Sequence, residues 1–509
     1  MTPLPRLATR DRIIDAVLVV SCGIVKAIAL AFAAFATRDA FATLHAGDAL
    51  ATNTVLQLAI SGTVAAASML LSRYRAEALG QSYAISLRRT LYRKIAQLPK
   101  SRHEKRRVGA LSLRFVGDLS AARLWFGRGL PDAWSAMIVI PGAASILYFL
   151  NPMLAIYGVA SLSVALVAMG LLAWHLARRH QKLRRNRANI AISMIERISI
   201  APELDLMGRT DRELRKLDRQ GASLRSDALA RRGRTTSLQA VLQLGVALTG
   251  LLMLWQASRH AIAPSTVAAC LSVLALIALP LQNLAGAWDK YCAWRVAREK
   301  AERLLSEPVV TRSATNQNGP VAIKVTGEFD RVPISFVAPP GSVSKLTDKH
   351  ANSLARIIAG LDANDGVDVC YGGQAVTPKI AFIGDNHVGL QGSLRRSATL
   401  SCRRRPSDRK ITTVMRIFGL SDLLAAPRGL DQCLAENGKG LLPLQTLQLD
   451  FVRAVLGKAD IVVIASIRWT SCLHHRVELL ESLQEFSSAT IVLAEDAIPL
   501  SLKQKSKVC

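Results

Sequence analysis

Residues 347–361, with the sequence TDKHANSLARIIAGL, come closest in type and spacing to a known chemistry. The tail SLARIIAGL is typical of the helix that follows a phosphate-binding loop. Such a loop has the pattern Gly-x-x-x-x-Gly-Lys-Ser/Thr: its glycines let backbone N–H groups surround phosphate oxygens, its lysine reaches the β- and γ-phosphates, and its hydroxyl binds Mg²⁺. The chain has no glycine from Ser342 to Ala359. The residues before the helix therefore lack the groups that would hold a phosphate.

The elements that would position this segment belong to a long and apolar chain. It has 509 residues, of which 50% are hydrophobic, which is too long for one ordinary domain and too apolar for a soluble protein. Six apolar stretches of about 20 residues are long enough to cross a bilayer as helices. They lie near residues 14–37, 51–72, 133–150, 153–174, 238–257 and 263–286. The sequence therefore predicts three membrane-spanning hairpins.

The formal net charge of +28 is typical of proteins that contact either nucleic acid or the anionic face of a membrane. No zinc-finger, RNA-binding or basic-zipper pattern accompanies the charges, so we expect membrane lipids and no nucleic acid as partners. Lysine and arginine crowd two long connections, 73–132 and 175–237, whereas the short links hold only Arg38 and Arg259. This bias predicts that both termini and both long connections are cytoplasmic.

Both long connections carry helical periodicity, so we expect the membrane helices to continue beyond the bilayer, with contacts to a soluble domain at the tips of the connections. The composition changes after residue 308. Residues 309–319 are polar and suit a linker, and from 320 to 509 short β-type runs alternate with helical ones. This alternation predicts a mainly parallel α/β domain.

The cysteines and histidines suggest no metal site. The eight cysteines are scattered without a C-x-x-C pair, which supports neither a disulfide framework nor a structural zinc site. Cys472, His474 and His475 are close in sequence, but adjacent histidines on a helix point apart.

Taken together, these features resemble a half-transporter of the type IV ABC exporter family, over nearly the whole chain. The segment ALGQSYAISLRRTLYRKIAQLP is similar to that family's first cytoplasmic connection, and IERISIAPELDLMGRTDREL to its second. The resemblance implies an all-α six-helix transmembrane domain at 1–308 and a cytoplasmic α/β P-loop-like nucleotide-binding domain at 320–509. It also implies a multi-pass protein of a bacterial inner membrane.

The residues at the family's nucleotide-binding positions have different chemistry in this chain. Ala351 stands for the phosphate-loop lysine, Asn352 and Ser353 for the hydroxyl that binds Mg²⁺, and Asp385 for the glutamine that touches Mg²⁺ and the attacking water. Of the Leu-Ser-Gly-Gly-Gln signature, LLPLQ keeps only Leu441 and Gln445. Ala465 and Ser466 replace the acidic pair, and Glu495 replaces the switch histidine.

Two residues near these positions are open to more than one interpretation. Lys349 either substitutes for the missing lysine or is a solvated side chain, because it stands two residues too early on a loop about two residues short. Phe329 is the nearest aromatic residue to the position of the tyrosine that stacks on adenine.

Phosphoryl transfer depends on positioning and charge neutralisation, so the loss of lysine, Mg²⁺ ligand and base predicts a degenerate domain without ATPase activity of its own. The chain alone would need no cofactor; ATP and Mg²⁺ would bind only together with a partner. Three hypotheses stay open. The chain is the non-catalytic half of a heterodimer with a catalytically competent ABC half-transporter, or an exporter-fold scaffold or regulator without transport, or a divergent ATPase or decaying gene.

Lys26 lies within the first apolar stretch. A charge inside a membrane span is a candidate for contact with a transported substrate. The alternatives are a side chain that reaches the interface, or an interfacial helix before a later-starting span. The sequence does not identify the substrate.

Overall fold

A computed structural model describes residues 4–104, 117–177, 190, 193–194, 197–198, 200–310, 320–372 and 378–496. The chain forms two compact units. The first contains residues 1–96 and 106–307, and the second contains residues 97–105 and 308–509. Most of the predicted linker, and parts of both long connections, lie outside the described residues.

Six helices of the first unit are long and apolar enough to cross a membrane, as the sequence predicts. Helix α1 spans Arg10–His45 and α2 spans Thr52–Ala96. The third crossing combines α4 (Leu119–Leu124), a π-helical turn (Trp125–Gly129) and α5 (Leu130–Leu150). The others are α6 (Pro152–Ala177), α8 (Thr210–Arg259) and α9 (Pro264–Leu305), and a short α7 (Ala201–Leu206) precedes α8. Helices α2 and α8, at 45 and 50 residues, continue well beyond the length of a bilayer crossing, which confirms the predicted extensions.

Small residues allow the helices of the first unit to approach closely. A Cβ atom added at Gly80 would lie 2.7 Å from the Cα atom of Gly127, so the backbones of α2 and the π-helical turn touch. Beside this contact, Tyr83, Phe126 and Trp294 form an aromatic cluster with ring centroids 4.0–5.7 Å apart. Close contact through small residues replaces the hydrophobic driving force that is weak between helices in lipid.

A helix from the first long connection belongs to the second unit. Helix α3 (Lys100–Glu104) packs beside the turn after residue 360, where the Lys100 N–H donates to the Leu361 carbonyl at 2.9 Å. The predicted contact between the tip of a connection and the soluble domain is thus confirmed for the first connection.

The second unit contains a parallel four-stranded sheet in the order β3–β9–β8–β5. The strands are β3 (Val343–Asp348), β5 (Ile380–Gly384), β8 (Ile461–Ala465) and β9 (Thr490–Asp496). Strand β8 is buried along its whole length. Helices α10 (Ala351–Ile358) and α14 (Pro443–Leu456) belong to the cores that cover it. This parallel sheet agrees with the α/β prediction.

A second, antiparallel sheet in the order β2–β1–β4 was not predicted. It consists of β1 (Ile323–Phe329), β2 (Val332–Ala338) and β4 (Val367–Tyr371). Asp330 and Arg331 both have positive φ, 49° and 66°, and form the two-residue turn between β1 and β2. Asn-Gly or Asp-Gly is the usual signal for such a turn, and Asp-Arg does not carry it.

The remaining elements of the second unit are short. They are β6 (Gly392–Ser393), β7 (Cys433–Leu434), α11 (Leu394–Ala398), α12 (Asp408–Ile417), α13 (Ser421–Ala425), α15 (Ile467–Ser471) and α16 (Arg476–Phe486), with single 3₁₀ turns at Gly429–Asp431, Glu436–Gly438 and Leu473–His475. Together they cover one side of the sheet with the core that contains Phe418, Phe451 and Trp469.

Candidate nucleotide site

The junction between β3 and α10 is where a phosphate loop would lie. Strand β3 ends at Asp348 and α10 begins at Ala351, so only Lys349 and His350 separate them. The His350 N–H donates to Asp348 Oδ1 at 2.8 Å, and the Leu354 N–H donates to the His350 carbonyl at 3.0 Å. The strand therefore enters the helix through a tight turn in which an aspartate side chain accepts a backbone N–H.

The side chains of this junction point to different surroundings. Ala351 is fully buried, Lys349 and Ser353 are exposed, and Asn352 is half-buried. The His350 ring packs against the half-buried Phe329 ring, with centroids 5.2 Å apart. Phe329 thus lies close to the junction, as its position in the sequence suggests. The His350 ring, however, covers one side of the Phe329 ring.

The residues that follow β5 and β8 are hydrogen-bonded to each other. Asp385 Oδ1 accepts the Ile467 N–H at 2.7 Å. Ser466 Oγ accepts the Arg468 N–H at 3.2 Å and caps the helix that follows β8. Ala465 and Ser466 are both buried, at 5% and 7% exposure, which leaves no carboxylate at the end of β8.

Gln445 caps its own helix. Helix α14 begins at Pro443, which has no N–H, and Gln445 Oε1 accepts the Leu442 N–H at 3.0 Å. The side chain that survives from the signature thus satisfies a backbone donor within the same chain.

Glu495 lies on β9, paired in register with Thr347 of β3, and is half-buried. An ionised carboxylate can accept hydrogen bonds but cannot donate one, whereas a histidine at this position can also donate one. Within the part of the chain that the structure describes, no group of three or more His, Cys, Asp or Glu side chains is arranged to hold a metal ion.

A buried charge network that sequence reasoning missed lies beside these residues. Asp450 Oδ2 accepts from Arg468 at 2.9 Å, and its Oδ1 lies 2.8 Å from His387 Nδ1 and 3.3 Å from an Arg453 nitrogen. All four side chains are at most 12% exposed. Burial lowers the pKa of Arg453, while the nearby Asp450 opposes this shift.

The two arginines also hold backbone groups. Arg468 donates to the Gly384 carbonyl at the end of β5 and to Thr446 Oγ1 at 3.0 Å on α14. Arg453 donates to the carbonyl and the hydroxyl of Ser397, both at 2.6 Å. Of these residues, the sequence singles out only Arg453, because the framework LQLDFVRAVLGKADIVVIA resembles that of the family and has Arg453 at the family's usual arginine. Arg468 stands three residues after the end of β8, and no local sequence pattern predicts its contacts.

Lys26 belongs to a separate place in the first unit. It lines a cavity between α1, α2, α5 and α9 together with Arg73 and Asp132. Lys26 belongs to the first unit, whereas the nucleotide-site positions all belong to the second.

Six membrane-crossing helices followed by an α/β unit with a parallel sheet define the class of ABC exporter half-transporters. The model of the ABC transporter transmembrane region matches residues 14–279, and the chain belongs to this family. Among solved structures, a bacterial Atm1-family ABC exporter with ATP bound is similar with a TM-score of 0.80 and 16% sequence identity, covering 98% of this chain and 92% of that one. At this identity the likeness establishes the fold. A search of curated protein sequences gives no significant match. The chain is thus a multi-pass membrane protein with the fold of an ABC exporter.

Proposed function

We propose that this chain is a non-catalytic subunit of an ABC exporter, which lines the translocation path while a partner half-transporter supplies ATP hydrolysis. The observation that carries the proposal is the two-residue junction between β3 and α10. A phosphate loop needs several successive backbone N–H groups directed at the phosphates. Here the His350 N–H is taken by Asp348, and the carboxylate of Asp348 would repel a phosphate.

The other positions support the same conclusion. Ala465 and Ser466 offer no carboxylate for Mg²⁺ or for an attacking water, and Asp385 accepts a backbone N–H from Ile467. The residues present therefore do not fit Mg²⁺–ATP. A pseudo-ATPase of this kind needs a partner for any ATP turnover.

An exposed apolar tip supports a partner subunit. At the end of α7, Leu206 is 90% exposed and the following Met207 is 69% exposed. These two adjacent, large and exposed apolar side chains are a candidate surface for docking onto another protein. We infer that a heterodimeric partner covers them.

A scaffold or regulator without transport activity is the second candidate, and the signature segment favours it. Pro443 lacks an N–H and Gln445 caps its own helix, so this chain would also serve a partner's phosphate loop poorly. Neither of two composite ATP sites would then have the usual set of groups.

We propose a bacterial inner membrane as the location, with both termini in the cytoplasm. The strong bias of lysine and arginine towards the two long connections supports this orientation.

The test is ATP hydrolysis by the full chain in liposomes, without and with a co-expressed half-transporter that has intact motifs and co-purifies. We expect the chain alone to release no more inorganic phosphate than a mock preparation, and the pair to release it. Lys349→Ala should leave nucleotide binding by the chain unchanged, because the two-residue junction around Lys349 lacks the backbone N–H groups that would hold a phosphate beside it. Hydrolysis by the chain alone that disappears in Lys349→Ala would refute the proposal. An exporter fold that never co-purifies with another half-transporter would favour the scaffold.

A further inference from the structure

The cavity that contains Lys26 is lined by charged and polar groups although it lies among membrane-crossing helices. Helices α1, α2, α5 and α9 contribute Lys26, Arg73, Asp132, Ser135 and Asn283 to its walls. Polar side chains in such a place are costly and mark binding sites or transport paths.

Positive charge exceeds negative charge around this cavity. Asp132 is 7% exposed and accepts from Arg73 at 3.0 Å and from Lys290 at 3.1 Å. Lys26 is a third, half-buried cation, and within the described residues it has no ion-pair or hydrogen-bond partner. Asp132 is the one carboxylate among the described residues that line the cavity. Asp132 is thus already paired with two cations, so an anion in the cavity would balance the charge of Lys26.

The position along the helices indicates where such an anion comes from. At a rise of 1.5 Å per residue, Arg73 lies about 31 Å along α2 from Thr52, which matches the thickness of the hydrocarbon core, about 30 Å. Lys26 lies within the first apolar stretch, 14–37, and lines the same cavity as Arg73. The cavity therefore reaches from the apolar layer to the level of the headgroups on the side of the membrane opposite to the α1–α2 link.

We propose that this cavity binds a phosphate-type anion through Lys26, with the ion pair of Asp132 holding Arg73 and Lys290 in place. The phosphate of an anionic lipid headgroup and free phosphate share this chemistry. Hydroxyls of Ser68, Ser72 and Ser135 and the Asn283 amide line the same cavity and supply further donors. The inference goes beyond the proposed function, because it does not depend on whether the α/β unit hydrolyses ATP.

The experiment measures binding of phosphatidylglycerol and of phosphatidylcholine to the purified full chain by native mass spectrometry. A second arm measures the melting temperature with and without millimolar inorganic phosphate. The test variant is Lys26→Met, which keeps the length of the side chain and removes its charge. The control is Arg38→Met, which removes an exposed cation from the same helix, and Lys26→Arg tests rescue of the charge.

We expect phosphatidylglycerol to bind about tenfold more tightly than phosphatidylcholine, because both headgroups carry the phosphate but only phosphatidylcholine adds a choline cation, which the positively charged cavity repels. Lys26→Met should lose this preference, and Arg38→Met and Lys26→Arg should keep it. Stabilisation by inorganic phosphate with the same pattern among the variants would support the site with free phosphate as its ligand. Equal binding of the two lipids without an effect of phosphate would overturn the inference. The inference would also be overturned if Lys26→Met kept the preference for the anionic lipid. The same holds if Arg38→Met lost this preference to the same extent as Lys26→Met.

Discussion

The side chain of Arg468 joins three segments of the α/β unit that are distant in sequence. It contacts the end of β5 through the Gly384 carbonyl and α14 through Thr446 and Asp450, while its own backbone begins the helix after β8. We interpret the arginine as an internal cation that holds them together here.

Replacing Arg468 with methionine should destabilise the α/β unit. The change leaves Asp450 buried with fewer donors, and breaking a buried ion pair costs about 3 kcal/mol or more. For a unit of this size, we expect the melting temperature to fall by about 5–10 °C, measured on the full chain.

The matched control is Arg405→Met. Arg405 pairs with Asp408 at 3.3 Å, but both side chains are more than half exposed, so the loss should be at most about 1 kcal/mol. Equal melting temperatures for the two variants would show that the buried network does not stabilise the unit.

At the scale of elements, α3 is attached to the second unit by specific polar contacts. Asp362 Oδ1 accepts from the Ser101 N–H at 2.9 Å and from the Ser101 hydroxyl at 2.8 Å. Arg356 pairs with Glu104 at 2.9 Å, and the Lys100 ammonium lies 4.8 Å from the centre of the Phe382 ring. These contacts hold α3 against α10, the turn that follows it and β5, all within the second unit.

Asp362→Ala should loosen α3 without unfolding the sheet. Each lost hydrogen bond to a carboxylate contributes about 1.5–3 kcal/mol, so hydrogen exchange at residues 100–104 should rise about tenfold or more. Asp365→Ala, an exposed aspartate in the same turn, is the control and should leave the exchange unchanged. Fast exchange of α3 already in the unchanged chain would contradict this prediction.

The sequence predicted those elements whose signal is local. Six apolar stretches became six helices, and the β-type runs KIAFIG, ADIVVIA and ATIVLA became β5, β8 and β9 of the parallel sheet, because length and hydrophobicity largely determine both. The run VAIKV became β1 of the antiparallel sheet instead. The antiparallel hairpin was missed, since Asp330 and Arg331 adopt positive φ without the glycine that usually indicates it. The network of Asp450 and Arg468 was missed for another reason: buried ion pairs depend on tertiary proximity, which no spacing in the sequence encodes.

At the scale of the whole molecule, the cysteines provide a test of orientation. Within the described residues, Cys370 and Cys433 are exposed on the second unit, and Cys22, Cys270 and Cys292 are buried. If the second unit is cytoplasmic, a maleimide that does not cross membranes should leave the chain unlabelled in spheroplasts and label it after lysis.

Asp48→Cys places a thiol in the exposed link between α1 and α2, on the predicted outer side. This variant should be labelled in spheroplasts as well as after lysis. Labelling of the unchanged chain in spheroplasts, together with protection of Asp48→Cys, would mean that the orientation is reversed.

The short connection between β3 and α10 also has an evolutionary consequence. An enzyme inactivated by exchange of one side chain can regain its activity by one reverse mutation. Here the backbone itself is too short, and Ala351 is enclosed in the core, where a lysine would not fit. A phosphate loop at this junction would require an insertion and several compensating substitutions at the same time, so no single substitution could create one.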